Sequence, residues 1–450
     1  MNRNRDLADW LGLSPEERTA RRSLARRDAT DTASSHGVYI STTKADDDAP
    51  HPGLLSGVPF AVKDNIDVAG IPTTGGAPVF VTATPSVDAG AVSALREEGA
   101  VVLGKTNLHE LAFGVTSNNG HFGPVRNPHD TARSAGGSSG GSAATVALGT
   151  VPFSLGTDTG GSITIPASFC GVVGFRPTIG RYPGDGLITL SNSRDTVGIH
   201  ANSVADVRTV DGLITRAAPY GERFSADWLR LGLPADYFRD LDDEVAEVAA
   251  ATIDFLRSLG VDLVEVEVPD TFELTGAHAF ELVFFEAAQT LLARGALLGE
   301  SFAELDLRAF ADASGSPDVQ GILGMMADNP VPTIRYEQAR YARLALRRAY
   351  QKTFATNGID AFIFPSVPVL PPPLGNDDVI DFKGTELPLF PTITRHTGPG
   401  TFAGVPMVTL PSGMTATGLP VGMTLEGPFH QDAHLLTVAE CLESVLETTM

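Results

Sequence analysis

The sequence predicts an α/β fold, and three observations carry that prediction. Helix-like and strand-like segments alternate through DAGAVSALREEGAVVLGKTNLHELAFG, as they do where a sheet is built from crossover units. A helix followed by a strand recurs in SAATVALGTVPFSLGTD and again in DDEVAEVAAATIDFLRSLGVDLVEVEVPD. The 450 residues are 42% apolar, which suits one large domain or two smaller ones. No stretch approaches the ~20 uncharged apolar residues of a membrane span.

In chain order, residues 7–29 show a helical pattern with the charge run EERTARRSLARRD, predicting a solvated outer helix. Residues 30–55, rich in Thr, Ser, Asp and Pro, predict an irregular connection. From Gly57 the character changes, and SGVPFAVKDNIDVAGIP reads as a short apolar strand leaving through a turn. Gly, Ser and Asn dominate residues 114–142, a long loop that costs entropy to order and is therefore suspected of function. Residues 278–353 are mainly helical, most strongly in RYEQARYARLALRRAYQKTF. GIDAFIFPSVPV and GVPMVTLPSG read as further buried strands, and a C-terminal helix begins at about Asp432. No internal repeat or composition break marks a second domain, so an N-terminal helix and connection over 1–55 precede one domain over 56–450.

A net charge of −22 repels nucleic acid and anionic lipid and argues against both as partners. The opening MNRNRDLADWLGLSPEERTARR has no apolar core, which predicts no secretory leader. Cys170 and Cys441 lie far apart, without metal-ligand spacing. They fit a reduced, cytoplasmic protein with no disulfide framework, metal or cofactor. Of 32 basic residues only five are lysine (Lys44, Lys63, Lys105, Lys352 and Lys383), so each lysine becomes a position to question.

Three motifs compete. GAVVLGKT, residues 99–106, satisfies the phosphate-loop spacing letter for letter. That mechanism needs a flexible cradle before a helix, and Ala-Val-Val-Leu predicts a buried strand instead, with Lys105 a structural lysine. GGSSG, residues 136–140, fits a nucleophile-elbow pattern, but NPHDTARSA before it is polar rather than strand-like. The third is SLGTDTGGSITIPASFCG. Gly160 and Gly161 clear space ahead of Ser162, and the amides from Thr159 to Ser162 can line one concavity suited to an oxyanion. A plain Gly-rich turn with a capping serine explains the same letters. The nearest histidines in sequence, His129 and His200, offer Ser162 no adjacent base.

A base is available elsewhere. Lys63 follows an apolar strand in GVPFAVKDNID, and alternation turns Lys63 and Asp64 to opposite faces. Either Lys63 is a strand-end lysine reaching solvent, or burial lowers its pKa by ~3–5 units and makes the neutral amine a base. The acidic protein opposes that shift, so local desolvation has to dominate. The GGSSGG loop offers an intermediate hydroxyl.

KDNIDVAG, then GGSSGGSAATVALG, then GTDTGGSITIPASFCGVVGFRPT together resemble the amidase signature family, strongly over about 55–215 and more loosely to about 440. The resemblance implies a large mixed twisted sheet covered by helices on both faces. It implies a signature core over 57–215 and a substrate-covering helical region at about 278–353. It also implies a Ser–cis-Ser–Lys group: Ser162 the nucleophile, Ser138 the bridge, Lys63 the base. With these come a cis Gly137–Ser138 bond and an oxyanion hole from Thr159, Gly160, Gly161 and Ser162. No metal or cofactor is implied, and family members are often homodimers. Two letters depart from the family pattern. Thr164 stands where arginine is common, leaving Asp158 to find Arg176 or Arg194, and Ala135 replaces a frequent proline.

NLHELAFGVTSNN and GFRPTIGRYPGDGLITLSNSRDTVGIHANSVADV are similar to the branch of the family acting on indoleacetamide. That implies a small neutral arylacetamide as substrate, with mandelamide-like amides, esters or carbamates, or an amidotransferase A-type subunit role, as alternatives. Pocket walls are expected from the 278–350 helices and the loop around His396–Phe402.

Overall fold

Runs of alternating or wholly apolar residues build eleven short strands, and these pair into one mixed sheet. The computed structural model describes residues 6–44, 51–217, 225–298 and 305–446. Its sheet strands are Tyr39–Thr42 (β1), Pro59–Lys63 (β2), Val101–Thr106 (β3), Phe153–Asp158 (β4), Val173–Arg176 (β5) and Thr196–Ala201 (β6). Arg230–Pro234 (β7), Asp262–Val266 (β8), Ala361–Pro365 (β9), Met407–Met414 (β10) and Pro420–Glu426 (β11) complete it. The spatial order is β1-β3-β2-β4-β6-β5-β10-β11-β9-β7-β8. β3, β2 and β4 run parallel at one end and β9, β7 and β8 at the other, with antiparallel pairs between them. Among the described residues no helix is long and apolar enough to cross a membrane.

Helices cover both faces, and the strands show why. Phe60 and Val62 of β2 join a core with Ala91, Val92 and Leu95 of helix Gly90–Glu97. Ala61, between them, joins a different core with Ala143, Ala144 and Val146 of helix Gly140–Ala147. β9 repeats the pattern, with Ala361 and Ile363 in the first core and Phe362 and Phe364 packed under helices Thr271–Leu298 and Thr333–Asn357. Each such large apolar side chain contributes about 1.5–3 kcal/mol by leaving water. Alternation then carries Lys63 to the same side as Ala61, under helix Gly140–Ala147.

The N-terminal reading is corrected. The expected 7–29 helix is two helices, Leu7–Leu11 and Pro15–His36. Ser14 restarts the chain through a capping box with Glu17, with Pro15 at the first helical position. The second helix consumes the start of the expected irregular connection, and β1 then adds an edge strand antiparallel to β3. Residues 45–50 of that connection lie outside the described residues, as do residues 299–304 of the expected helical region. Six of the eight phosphate-loop letters, Val101–Thr106, form β3, a wholly buried strand.

Gly141 marks how closely helix Gly140–Ala147 is seated. A Cβ there would lie 2.5 Å from Asn107 O and 2.6 Å from Val38 O. Glycine to alanine inside a helix ordinarily stabilises by up to ~1 kcal/mol. Gly141→Ala is expected to destabilise instead, by about 1–3 kcal/mol, read as a lowered urea midpoint; an unchanged or raised midpoint contradicts the close backbone packing.

Candidate active site

Lys63 closes β2 and is fully buried. Asp64, the acid nearest in sequence, turns away and is consumed elsewhere. Its Oδ1 lies 3.0 Å from Lys105 Nζ, both side chains fully buried, and its Oδ2 accepts the Thr74 amide at 3.0 Å and the Thr74 hydroxyl. Lys105 adds a hydrogen bond to Thr73 Oγ1 at 2.9 Å. Lys63 has only hydroxyl and carbonyl company. Its Nζ donates to Ser138 Oγ at 2.7 Å and to Thr157 Oγ1 at 2.9 Å, and no carboxylate among the described residues forms an ion pair with it. Burial lowers its pKa to about 7, against the lifting fields of Asp158 and Asp195.

Ser138 lies in the glycine–serine loop just before helix Gly140–Ala147, and the Gly137–Ser138 peptide bond is cis. Two donors hold the Ser138 carbonyl, the His109 amide and Ser117 Oγ, each at 3.2 Å. Ser139 ties this loop to the next element: its Oγ donates to Thr157 O at 2.9 Å and its amide to Ser162 O at 3.3 Å.

Ser162 sits in the turn between β4 and helix Thr164–Cys170, and Asp158 shapes that turn. Its carboxylate accepts the amides of Gly161 at 3.0 Å and Ile163 at 2.7 Å, and pairs with Arg176 Nη1 at 3.3 Å. Arg176 is thus the partner of Asp158. Arg194 instead donates to Ala279 O at 3.1 Å and Thr401 Oγ1 at 3.0 Å, and lines the cavity above Ser162. Thr159 is fixed by its hydroxyl on Asp195 Oδ1 at 2.6 Å. Of the four amides expected to meet an oxyanion, that of Gly161 is given to Asp158. Those of Thr159, Gly160 and Ser162 meet no protein acceptor among the described residues.

No hydrogen bond joins Ser138 Oγ to Ser162 Oγ in this structure. The histidines are occupied with backbone: His129 Nε2 lies 3.1 Å from Cys170 O, and His200 Nε2 lies 3.1 Å from Ile163 O. Burial drops the His200 pKa to about 3, so it is neutral.

A cavity of about 1250 Å³ opens over Ser162, Thr159 and Gly160. Phe113, Val115, Phe280, Phe284, Met325 and Phe390 give it apolar walls. The walls come from helices Thr271–Leu298 and Pro317–Asp328, as the sequence suggested, but also from residues 112–118 and 375–391, which it did not. Helix Thr333–Asn357 contributes no wall; the loop around His396–Phe402 does, through Thr394, Arg395 and Gly398, while His396 and Phe402 themselves are buried, the former 2.7 Å from Pro365 O. Thr157 and Asn65, whose Nδ2 donates to Thr157 Oγ1 at 3.0 Å, were also missed. Parallel pairing sets Val62 of β2 opposite Leu155 of β4, which brings Thr157 beside Lys63 only once the strand order is known. Among the described residues no cluster of His, Cys, Asp and Glu converges as a metal site would.

Comparison with known proteins follows the same outline. The amidase family model matches residues 29–436. Indoleacetamide hydrolase of Rhizobium radiobacter is 37% identical over 395 residues, 87% of this chain and 84% of that protein. Mandelamide hydrolase of Pseudomonas putida is 37% identical over 412 residues, 87% of this chain and 79% of that protein. A crystal structure of an amidase superposes with a TM-score of 0.82 at 31% identity, covering 95% of this chain and 96% of that one.

The depressed pKa of Lys63 has a consequence for stability. Between about 7 and the ordinary lysine value of 10.5, the unfolded chain holds a proton at this site that the folded chain does not. Stability from Lys63 is therefore lowest below pH 7 and rises through that window, by up to about 1.4 kcal/mol per pH unit. Lys63→Met is expected to lose this slope when unfolding free energies are compared from pH 7 to 10; parallel curves for the two proteins would contradict the assignment.

Proposed function

The chain belongs to the amidase family and hydrolyses amides, and from that premise we propose that its substrate is a small neutral arylacetamide, of indole-3-acetamide type, cleaved to carboxylate and ammonia. The observation that carries the mechanism is the contact of a buried lysine amine, free of any carboxylate partner, with Ser138 Oγ at 2.7 Å. In the neutral amine the same contact runs from the Ser138 hydroxyl to the nitrogen lone pair.

Lys63 takes the Ser138 proton as Ser138 takes that of Ser162, once the two hydroxyls meet by rotation of the Ser162 side chain. Catalytic hydrogen bonds of this kind commonly close only in the substrate complex. Ser162 Oγ attacks the amide carbon, and the carbonyl oxygen becomes an oxyanion facing the free amides of Thr159, Gly160 and Ser162. Each such donor is worth about 3 kcal/mol to the transition state. The proton returns through Ser138 to the departing ammonia, and water then attacks the acyl-enzyme with Lys63 and Ser138 again moving its proton. Thr157 and Asn65 are positioning residues, keeping the amine aimed at Ser138.

The phenylalanine-rich part of the cavity supports an aryl substituent. The volume, about 1250 Å³, exceeds the ~300–1,000 Å³ of ordinary small-molecule sites. That size favours a second reading in which bulkier aryl amides, esters or carbamates, mandelamide-like ones included, are hydrolysed by the same acyl-enzyme route.

Ammonia release from a panel of aryl and alkyl amides by the isolated chain tests the substrate reading. Indole-3-acetamide and phenylacetamide are expected to lead the panel, and absence of hydrolysis without added partner chains would favour an amidotransferase subunit. Ser162→Ala is expected to lower kcat by about 10³-fold or more, and near wild-type turnover would remove the nucleophile. Because the amine acts only when neutral, kcat/KM should climb up to about tenfold per pH unit on the acid side and level above about pH 7, the value to which burial brings Lys63. A profile flat from about pH 5 to 9 removes lysine as the base.

A further inference from the structure

Helix Thr333–Asn357 sets Arg340, Arg343 and Arg347 on one face by their spacing of three and four. Two of them are employed. Arg340 pairs with Glu337 at 3.0 Å, and Arg347 donates to Ala403 O and stacks over Phe429 at 3.9 Å. Arg343 is different: it is 9% exposed, and its buried Nε and Nη2 meet no acceptor. Burial, then Arg347, Arg194 and Arg176, lower its pKa to about 9 against the field of Glu286, so the charges around it are chiefly of its own sign.

A second unspent donor faces the same space. Ser193 Oγ is buried without a partner, and Ser193, Arg340, Arg343 and Arg347 line one cavity of about 350 Å³ together with Glu337, whose carboxylate is taken by Arg340. Gly404 keeps room between two of the guanidinium groups. A Cβ there would lie 2.8 Å from Arg343 Nη2 and 3.2 Å from Arg347 Nη2. No residue lines both this cavity and the one over Ser162; loop residue Ser193 lines the first and its neighbour Arg194 the second.

A guanidinium buried chiefly among other cations, with donors left unbonded, is costly even after relaxation. In a chain with 54 acidic against 32 basic residues, no carboxylate among the described residues pairs with it: Glu337, which lines the same cavity, is bonded to Arg340, and Glu286 acts on it only through its field. A planar fork of N–H donors beside a hydroxyl matches one ligand chemistry, an oxygen anion held by two or more charge-assisted hydrogen bonds. We propose that this cavity binds a small oxyanion, a carboxylate or a phosphate, gripped by Arg343 and the Ser193 hydroxyl in the positive field of Arg347. The site stands independently of which amide is hydrolysed at Ser162.

Thermal unfolding of the full chain in potassium acetate, potassium phosphate and potassium chloride at equal ionic strength tests it. A saturable rise in Tm of about 2 °C or more over chloride is expected with at least one oxyanion; acetate or phosphate giving the larger rise identifies the source. Arg343→Met should abolish the rise. Ser193→Glu, which supplies a tethered carboxylate, should raise Tm in chloride and leave no further rise with added anion, and it decides the matter if Arg343→Met does not fold. No rise over chloride in the wild type, or an undiminished rise in either folded variant, overturns the proposal.

Discussion

The site depends on keeping one amine dry without giving it a counter-charge. Two lysines lie on adjacent strands, Lys63 on β2 and Lys105 on β3, both fully buried. Strand alternation sends Asp64 to Lys105, and that pair is an ordinary buried ion bridge. Lys63 is left with hydroxyls, which can share a proton with it but cannot hold its charge in place. Removing water from such a group disfavours its protonated form, and the fold carries that cost because the surrounding cores, not the lysine, provide the stability.

Asp158 does for the neighbouring turn what Asp64 does for Lys105. Its carboxylate gathers two amides and Arg176, so the chain between β4 and helix Thr164–Cys170 has a fixed course. The same bonds divide the labour among backbone donors: Gly161 serves the structure, and its neighbours remain open to the cavity. Asp195, on the far side, fixes Thr159 through its hydroxyl and is itself lifted to a pKa of about 6 by burial. Rigid anchoring on both sides of a short turn is what allows its donors to be aimed in advance.

Much of this was legible in the letters. Alternation in PFAVK gave Lys63 its face, the apolar run in GAVVLGKT excluded a phosphate cradle, and the helix–strand alternation gave the class of the fold. The residues that escaped were those whose roles arise across strands or between distant loops. Thr157 meets Lys63 through the parallel pairing of β2 and β4, and the 375–391 wall meets Phe113 through tertiary packing alone. The break between the two N-terminal helices has a local signal. Ser-Pro-Glu-Glu is a helix-start signature, and a cap was present where an uninterrupted helix was read.

Thr397, near the start of helix Thr397–Ala403, donates to Gly160 O at 2.8 Å, and Thr401 in the same helix holds Arg194 above the cavity. The turn that carries Ser162 is therefore buttressed from a segment 237 positions downstream of Gly160. A shortened gene product that kept Lys63, Ser138 and Ser162 but stopped before that helix would look intact to any motif search while lacking the Thr397 and Thr401 contacts, so the presence of the three signature letters in a fragment is no warrant for activity.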